Sequence, residues 1–266
     1  MTRINKKFMS LKEDKKKALI PFIMAGDPDI DTTIKLVLEL EKAGADIIEL
    51  GLPYSDPLAD GPVLQRSAKK AIEKGMDMDQ YLKLIESIRK KTEVPLVGLV
   101  YVNSLLQYGW DDFGKCAEKA GLDGVIIPDL PKEARFYDGY ALSPLPITEI
   151  RLVAPTSGER VRTIAKDADG FLYCIASKGV TGARNTLDEG LKTFMTQVRQ
   201  ETNCPTALGF GISSPEMVME IRELADGFII GSSLMEKLDE DVKSNKGFVK
   251  TIDFIATLRE ALDKNR

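Results

Sequence analysis

Histidine is absent from this 266-residue chain. That removes Ser-His-Asp and Cys-His catalysis and every histidine metal ligand. Proton transfer near neutral pH must then fall to carboxylates, Tyr, Lys or Cys. Cysteine is scarce as well. Cys116, Cys174 and Cys204 are far apart, odd in number and form no C-x-x-C, so free thiols in a reducing cytoplasm are expected, acting as small buried hydrophobes. No metal site is predicted. No apolar run approaches the roughly 20 residues of a membrane helix, and residues 1–17, though basic, lack the apolar stretch and cleavage site of a secretory signal. A basic excess is also missing: the net charge is −4, with both signs interspersed, which argues against nucleic acid as partner.

What is present is ordinary for a soluble globular protein, with 43% apolar and 29% charged residues. Apolar, β-rich runs recur at 19–24, 46–50, 96–100, 124–127, 149–153, 170–175, 206–208 and 227–230. Helical spacing appears between them. Ile34, Val37, Leu38, Leu40 and Ala43 fit a helix closed by Gly44. Leu82, Leu84, Ile85 and Ile88 form a second stripe, Val161, Ile164 and Ala165 a third, and Met217, Val218, Ile221 and Leu224 a fourth. Ile255, Leu258 and Leu262 belong to a closing helix. Eight strands alternating with helices in about 250 residues predict an α/β fold, a (β/α)8 TIM barrel. A doubly wound sheet is the alternative, but no G-x-G-x-x-G opens a helix after the first strand. With no repeat or linker, residues 1–266 read as a single barrel domain. Ile4, Phe8 and Leu11 fit an extra N-terminal helix plugging the barrel bottom, or else a disordered tail. A helix is expected within 135–146, shortened by Gly139, Ser143, Pro144 and Pro146.

The chemistry collects at strand ends, where such barrels carry their active sites. Glu49 interrupts the second apolar run. It shares a face with Ile47, while Ile48 and Leu50 share the other. If the latter pair packs on helices, Glu49 points into the barrel mouth. A buried carboxylate is costly unless paired or neutralised, so the choice lies between a structural ion pair and a functional acid. Asp60 follows in a Pro/Asp/Gly loop, where it serves either as a turn residue or helix N-cap, or as the second member of an acid/base pair. Tyr173 ends the sixth strand, as a core aromatic or with its hydroxyl in the mouth. Glycine signals at 179–182, 209–213 and 231–233 fall in the loops after strands six, seven and eight. Loops seven and eight of such barrels commonly hold phosphate, because glycine lets backbone N–H groups approach an anion. The loop 177–185, rich in Gly, Lys, Thr and Arg, is long enough for a lid after strand six.

The run Glu49-Leu50-Gly51-Leu52-Pro53-Tyr54-Ser55-Asp56-Pro57-Leu58-Ala59-Asp60-Gly61-Pro62 resembles the signature of the tryptophan synthase α subunits. Pro21-Phe22-Ile23-Met24-Ala25-Gly26-Asp27-Pro28 resembles their first-strand motif. Pro128-Asp129-Leu130-Pro131, Val153-Ala154-Pro155-Thr156, Gly179-Val180-Thr181-Gly182 and Gly209-Phe210-Gly211-Ile212 match in order. The resemblance covers essentially the whole chain. It implies a lyase of tryptophan biosynthesis that splits indole-3-glycerol phosphate into indole and glyceraldehyde 3-phosphate. By the same resemblance Glu49 is the proton shuttle, Asp60 pairs with the indole N–H, and Tyr173 positions the glutamate. Gly182, Gly211, Gly231 and Ser232 fall at phosphate-site positions. Phe22, Leu99, Ile126 and Phe210 would line the indole slot, and Thr181 fits the lid residue that reaches toward Asp60. No cofactor is implied for this chain, since pyridoxal phosphate belongs to the family's β subunit, the expected partner in an α2β2 heterotetramer. Ser104 departs from the proline common in the family, in a loop near the partner surface, and 135–146 departs most. Two other readings remain: a feeble regulatory subunit, and a different phosphate-sugar barrel enzyme such as an isomerase. The latter leaves the loop 54–62 and the apolar slot unexplained.

Overall fold

The structure is a computed structural model, and it describes residues 1–137, 140–176, 189–245 and 247–264, with the side chains of 135–141 excepted. Eight parallel strands follow one another round a closed barrel. They are β1 (Ala18–Met24), β2 (Ile48–Gly51), β3 (Leu96–Leu99), β4 (Gly124–Ile126), β5 (Thr148–Val153), β6 (Leu172–Ile175), β7 (Thr206–Gly209) and β8 (Gly227–Ile230). β8 closes on β1 through pairs running from Ala18↔Gly227 to Pro21↔Ile230. This is the TIM barrel expected from the strand count.

The helices are α1 (Arg3–Glu13), α2 (Ile30–Lys42), α3 (Pro62–Glu73), α4 (Met78–Arg89), α5 (Val102–Tyr108), α6 (Trp110–Ala120), α7 (Arg160–Lys166), α8 (Glu189–Glu201), α9 (Pro215–Ile221), α10 (Ser232–Ser244) and α11 (Val249–Asp263). Several begin where a side chain satisfies an orphan backbone donor. Asp29 accepts from Thr32 N at 2.7 Å, Asp77 from Gln80 N at 2.8 Å, and Ser214 from Met217 N at 3.3 Å.

Strand alternation divides the core in two. Ala18, Ile20, Ile47, Val97, Ile126, Ile150, Phe171, Ala207 and Ile229 form one cluster inside the barrel. Leu19, Ile23, Ile48, Leu50, Leu96, Val125, Leu172, Leu208 and Phe228 belong to a second, packed with the helices. Each buried aliphatic side chain contributes about 1.5–3 kcal/mol. The N-terminal segment is helical, and Ile4, Phe8 and Leu11 of α1 join the interior cluster. The Phe8 ring lies 5.8 Å from that of Phe171. The barrel bottom is therefore sealed, and chemistry is left to the other end.

The expectation of a short helix within 135–146 is not met. A 3-10 turn, Lys132–Arg135, leads instead to a two-stranded antiparallel pair, Phe136–Tyr137 with Tyr140–Ala141. Aromatic residues flanking an Asp-Gly dipeptide favour a hairpin over a helix. Behind it the chain crosses α6, where Trp110 Nε1 donates to Ser143 O at 2.8 Å. Ser104 is also not in a loop: it lies in the first turn of α5, its N–H donating to Tyr101 O at 3.1 Å.

Candidate active site

Glu49 sits second in β2, two residues beyond Ile47 of the interior cluster, while Ile48 and Leu50 pack with the helices. Alternation therefore turns its carboxyl inward. It is 1% exposed. Neither carboxyl oxygen has a hydrogen-bond partner among the described residues. Burial, and then the negative charge of Asp60, push the Glu49 carboxyl from 4.5 up to about 8. At neutral pH it holds its proton, which is how a lone acid is tolerated in an apolar wall. Phe22 and Val97 are its register neighbours on β1 and β3. Gly51, the next inward position, lets Phe22 lean over the strand, since a Cβ there would stand 2.6 Å from Phe22 Cζ. From behind, the buried Tyr81 of α4 donates its hydroxyl to Leu50 O at 2.8 Å.

Asp60 lies in the loop after β2, half-buried. It does not cap α3, whose N-cap is Gly61 and whose first residue is Pro62. Burial raises its carboxyl from 3.8 to about 6, against the opposing pull of a hydrogen bond from Tyr101. At pH 7 Asp60 is mainly the anion while Glu49 is the acid. Two carboxyls driven to different charge states by their surroundings are the usual sign of divided acid and base roles. Tyr101 gave no signal in the sequence beyond its place just past β3. Its oxygen accepts from Ala59 N at 3.1 Å, and its ring stacks on Tyr54 with centroids 4.9 Å apart.

Tyr173 of β6 faces inward and rests on the interior cluster. Burial, with the charges of Glu49 and Asp60, lifts its hydroxyl well above 10, so it stays a donor. Leu99, half-buried, pairs with Gly51 on one side and Ile126 on the other, and Ile126 is fully buried. Phe22 is buried and Phe210 half-buried. Phe22 links the carboxyl to the far rim, its Cβ lying 3.8 Å from where a Cβ on Gly231 would stand.

At that rim Gly211 adopts φ +60°, with open space where a side chain would project. Gly231 is the N-cap of α10 and supplies no side-chain cap, and Ser232 and Ser233 open the helix, whose N-terminus is suited to an anion. Ser233 Oγ donates to Ile212 O at 2.6 Å and ties the two loops together. Thr181 and Gly182, with the loop 177–185, lie outside the described residues. Among the described residues no group of three or more Cys, Asp and Glu is placed to hold a metal, and no helix is long and apolar enough to cross a membrane.

A barrel whose mouth pairs a neutral acid with a carboxylate, opposite a glycine-lined rim where a helix begins, is the arrangement of a proton-transferring barrel enzyme. The comparisons with known proteins make this particular. A family described as "Tryptophan synthase alpha chain" matches residues 8–263. The tryptophan synthase alpha chain of Alkaliphilus metalliredigens is 47% identical over 260 residues, 98% of each chain. That of a Thermoanaerobacter species is 47% identical over 267 residues, covering 98% of this chain and 100% of the relative. The crystal structure of tryptophan synthase subunit alpha from Legionella pneumophila superposes with a TM-score of 0.88 at 36% identity, covering 99% of both chains. An aminoacrylate-bound tryptophan synthase structure from M. tuberculosis gives 0.84 at 27% identity, over 98% of this chain and 100% of that one. The chain belongs to the tryptophan synthase alpha chain family. Its activity is that family's carbon–carbon lyase reaction, cleavage of indole-3-glycerol phosphate in tryptophan biosynthesis. The α chain carries no cofactor, and pyridoxal phosphate belongs to the β chain.

Proposed function

We propose that this chain, acting as one barrel domain, performs the cleavage with Glu49 as proton shuttle and Asp60 as partner of the indole N–H. The observation that carries this reading is the inward Glu49 carboxyl, which has no hydrogen-bond partner among the described residues and keeps its proton to about pH 8. The carbon–carbon bond cannot break while the ring is aromatic. Protonation of indole C3 by Glu49 creates an indolenine cation that can accept the electron pair, and the Asp60 anion beside the ring nitrogen stabilises that charge. The Glu49 carboxylate then takes the proton of the glyceryl hydroxyl. The carbonyl forms, the C3–C1′ pair returns to the ring, and indole and glyceraldehyde 3-phosphate result with Glu49 protonated again. Tyr173, held as a donor, orients the Glu49 carboxylate. Phe22, Leu99, Ile126 and Phe210 enclose the indole ring. Backbone N–H groups at Gly211, Gly231 and Ser232 hold the phosphate.

The partner is a pyridoxal-phosphate β subunit in an α2β2 assembly that receives indole, and the compartment is the cytoplasm. The test is indole release by the isolated chain, with and without that subunit. Glu49→Gln keeps the shape of the carboxyl but cannot shuttle a proton. It is expected to retain affinity for glycerol 3-phosphate while losing at least about 100-fold in turnover, the lower range for a general acid–base group. Turnover like the wild type would remove Glu49 from the role. Wild-type chain inactive under both conditions would favour a regulatory subunit.

A further inference from the structure

The rim opposite Glu49 is built from two loops, after β7 and after β8, and glycine gives the first a freedom that a binding site cannot use. Gly211 stands at φ +60° with open space where a side chain would project. A glycine loses more conformational freedom on being fixed than any other residue, so a neighbour must hold the loop if the Gly211 N–H is to meet an anion. Ile212, the next residue, is held twice. Its side chain is 1% exposed among the apolar residues packed with the helices, and its carbonyl accepts the Ser233 hydroxyl at 2.6 Å. A carbonyl can only accept, so the serine proton is committed to this bond. Ser233 is the second residue of α10. Leu234 N and Met235 N turn back to Gly231 O at 2.9 and 3.1 Å, which makes the N–H groups of Ser232 and Ser233 the open end of the helix. Exposure follows the same division: Gly211 and Ser232 are exposed, whereas Ile212 is buried and Ser233 half-buried.

Resting on the phosphate position assigned above, we propose that Ser233 is a positioning residue for the phosphate tail: its hydroxyl clasps Ile212 O, and so presents the Gly211 N–H and the N-terminus of α10 to one anion. The hydroxyl does not bind the phosphate itself, because its proton is engaged inward. With the clasp in place, the glycine loop is ordered before the substrate arrives. Without it, the loop must be ordered in the binding step, and a pre-organised site escapes that cost. The effect falls on affinity and not on the proton transfers at Glu49, across the mouth.

The Kd for glycerol 3-phosphate, with kcat and KM for indole-3-glycerol phosphate, is measured on wild type, Ser233→Ala, Ser233→Thr, Gly211→Val and the double variant Gly211→Val/Ser233→Ala. Ser233→Ala is expected to raise Kd and KM together by about fivefold, the worth of one neutral hydrogen bond, with kcat changed by less than about twofold. Ser233→Thr keeps the hydroxyl and is expected to restore the wild-type Kd. Once Gly211→Val has taken the loop from the anion, Ser233→Ala is expected to add little, because it acts through that loop. A wild-type Kd in Ser233→Ala, a Thr variant as weak as the Ala variant, or a loss carried by kcat overturns the proposal. So does a full fivefold loss on top of Gly211→Val, at about the size of the single variant. An unchanged Kd in Gly211→Val would instead remove the phosphate from that loop, and the proposal would fall with its premise.

Discussion

Replacing Glu49 by glutamine should make the protein more stable, and the gain should grow with pH. Below pH 4.5 the carboxyl is neutral whether the chain is folded or not, and the barrel exacts no electrostatic penalty. Between 4.5 and about 8 the unfolded chain releases the proton that the folded chain retains. The unfolded state then binds fewer protons, so stability falls as pH rises. Above about 8 the folded carboxyl ionises too, and the loss levels off. At about 1.4 kcal/mol per pH unit the full cost is about 4–5 kcal/mol, of which about 3 kcal/mol is present at pH 7. Glutamine is neutral throughout and nearly isosteric with the protonated acid. The stability of Glu49→Gln minus that of the wild type should therefore rise by about 4 kcal/mol between pH 5 and pH 9. Urea unfolding followed by circular dichroism, at several pH values for both proteins, reads this difference directly, and titrations elsewhere cancel in it. Parallel stability curves would mean that Glu49 is ionised and paired in the folded protein, and the acid of the proposed cleavage would be lost.

The same two carboxyls predict a bell-shaped kcat/KM profile, with limbs near the values to which Asp60 and Glu49 are raised, about 6 and about 8. The limbs belong to the coupled pair, and a profile flat from pH 5 to 9 would contradict the division of roles. Gly211→Val forces a β-branched residue to φ +60° and fills the space in front of the anion rim. Loss of one charge-assisted hydrogen bond of about 1.5 kcal/mol is roughly tenfold in affinity, so KM and the Kd for glycerol 3-phosphate should rise at least that much, and unchanged values would displace the phosphate from that loop. Tyr81→Phe leaves Leu50 O without its buried donor and should cost about 1–3 kcal/mol in urea unfolding; a neutral outcome would show that β2 does not need that tether.

The barrel was legible because eight apolar runs alternate with helical stripes, and the period of each fixes which face is buried. The β8 run was read as 227–230 and is found as Gly227–Ile230. Helices without an obvious stripe were less visible. α3 buries only the small residues Ser67, Ala68 and Ala71, so no large apolar period marks it, and Pro62 at its first position is its clearest signal. The segment 135–146 failed for a different reason. The fold's alternation called for a helix there, while the local Phe-Tyr-Asp-Gly-Tyr chemistry called for a hairpin, and the local preference prevailed. On β5, the strand that follows, Glu149 and Arg151 point to the outer side and pair at 2.7 Å.

The site divides along a similar line. Glu49 was legible because a carboxylate in an apolar run is an energetic anomaly, and anomalies of that kind are visible in one dimension. The direction of its side chain followed from alternation alone. Tyr101 and Tyr81 were not legible, because an aromatic residue at a strand end or on a helix face is unremarkable until its hydroxyl is seen to meet a particular backbone group. Ala59 N lies 42 residues from Tyr101, and Leu50 O lies 31 from Tyr81. Such pairs form when the chain returns through α3 and α4 and sets β3 beside β2. The sequence can therefore reveal which residue carries a proton. How deeply each acid is buried emerges only when successive strands and their loops are laid side by side, and in this mouth that difference in burial is what gives two similar acids opposite tasks.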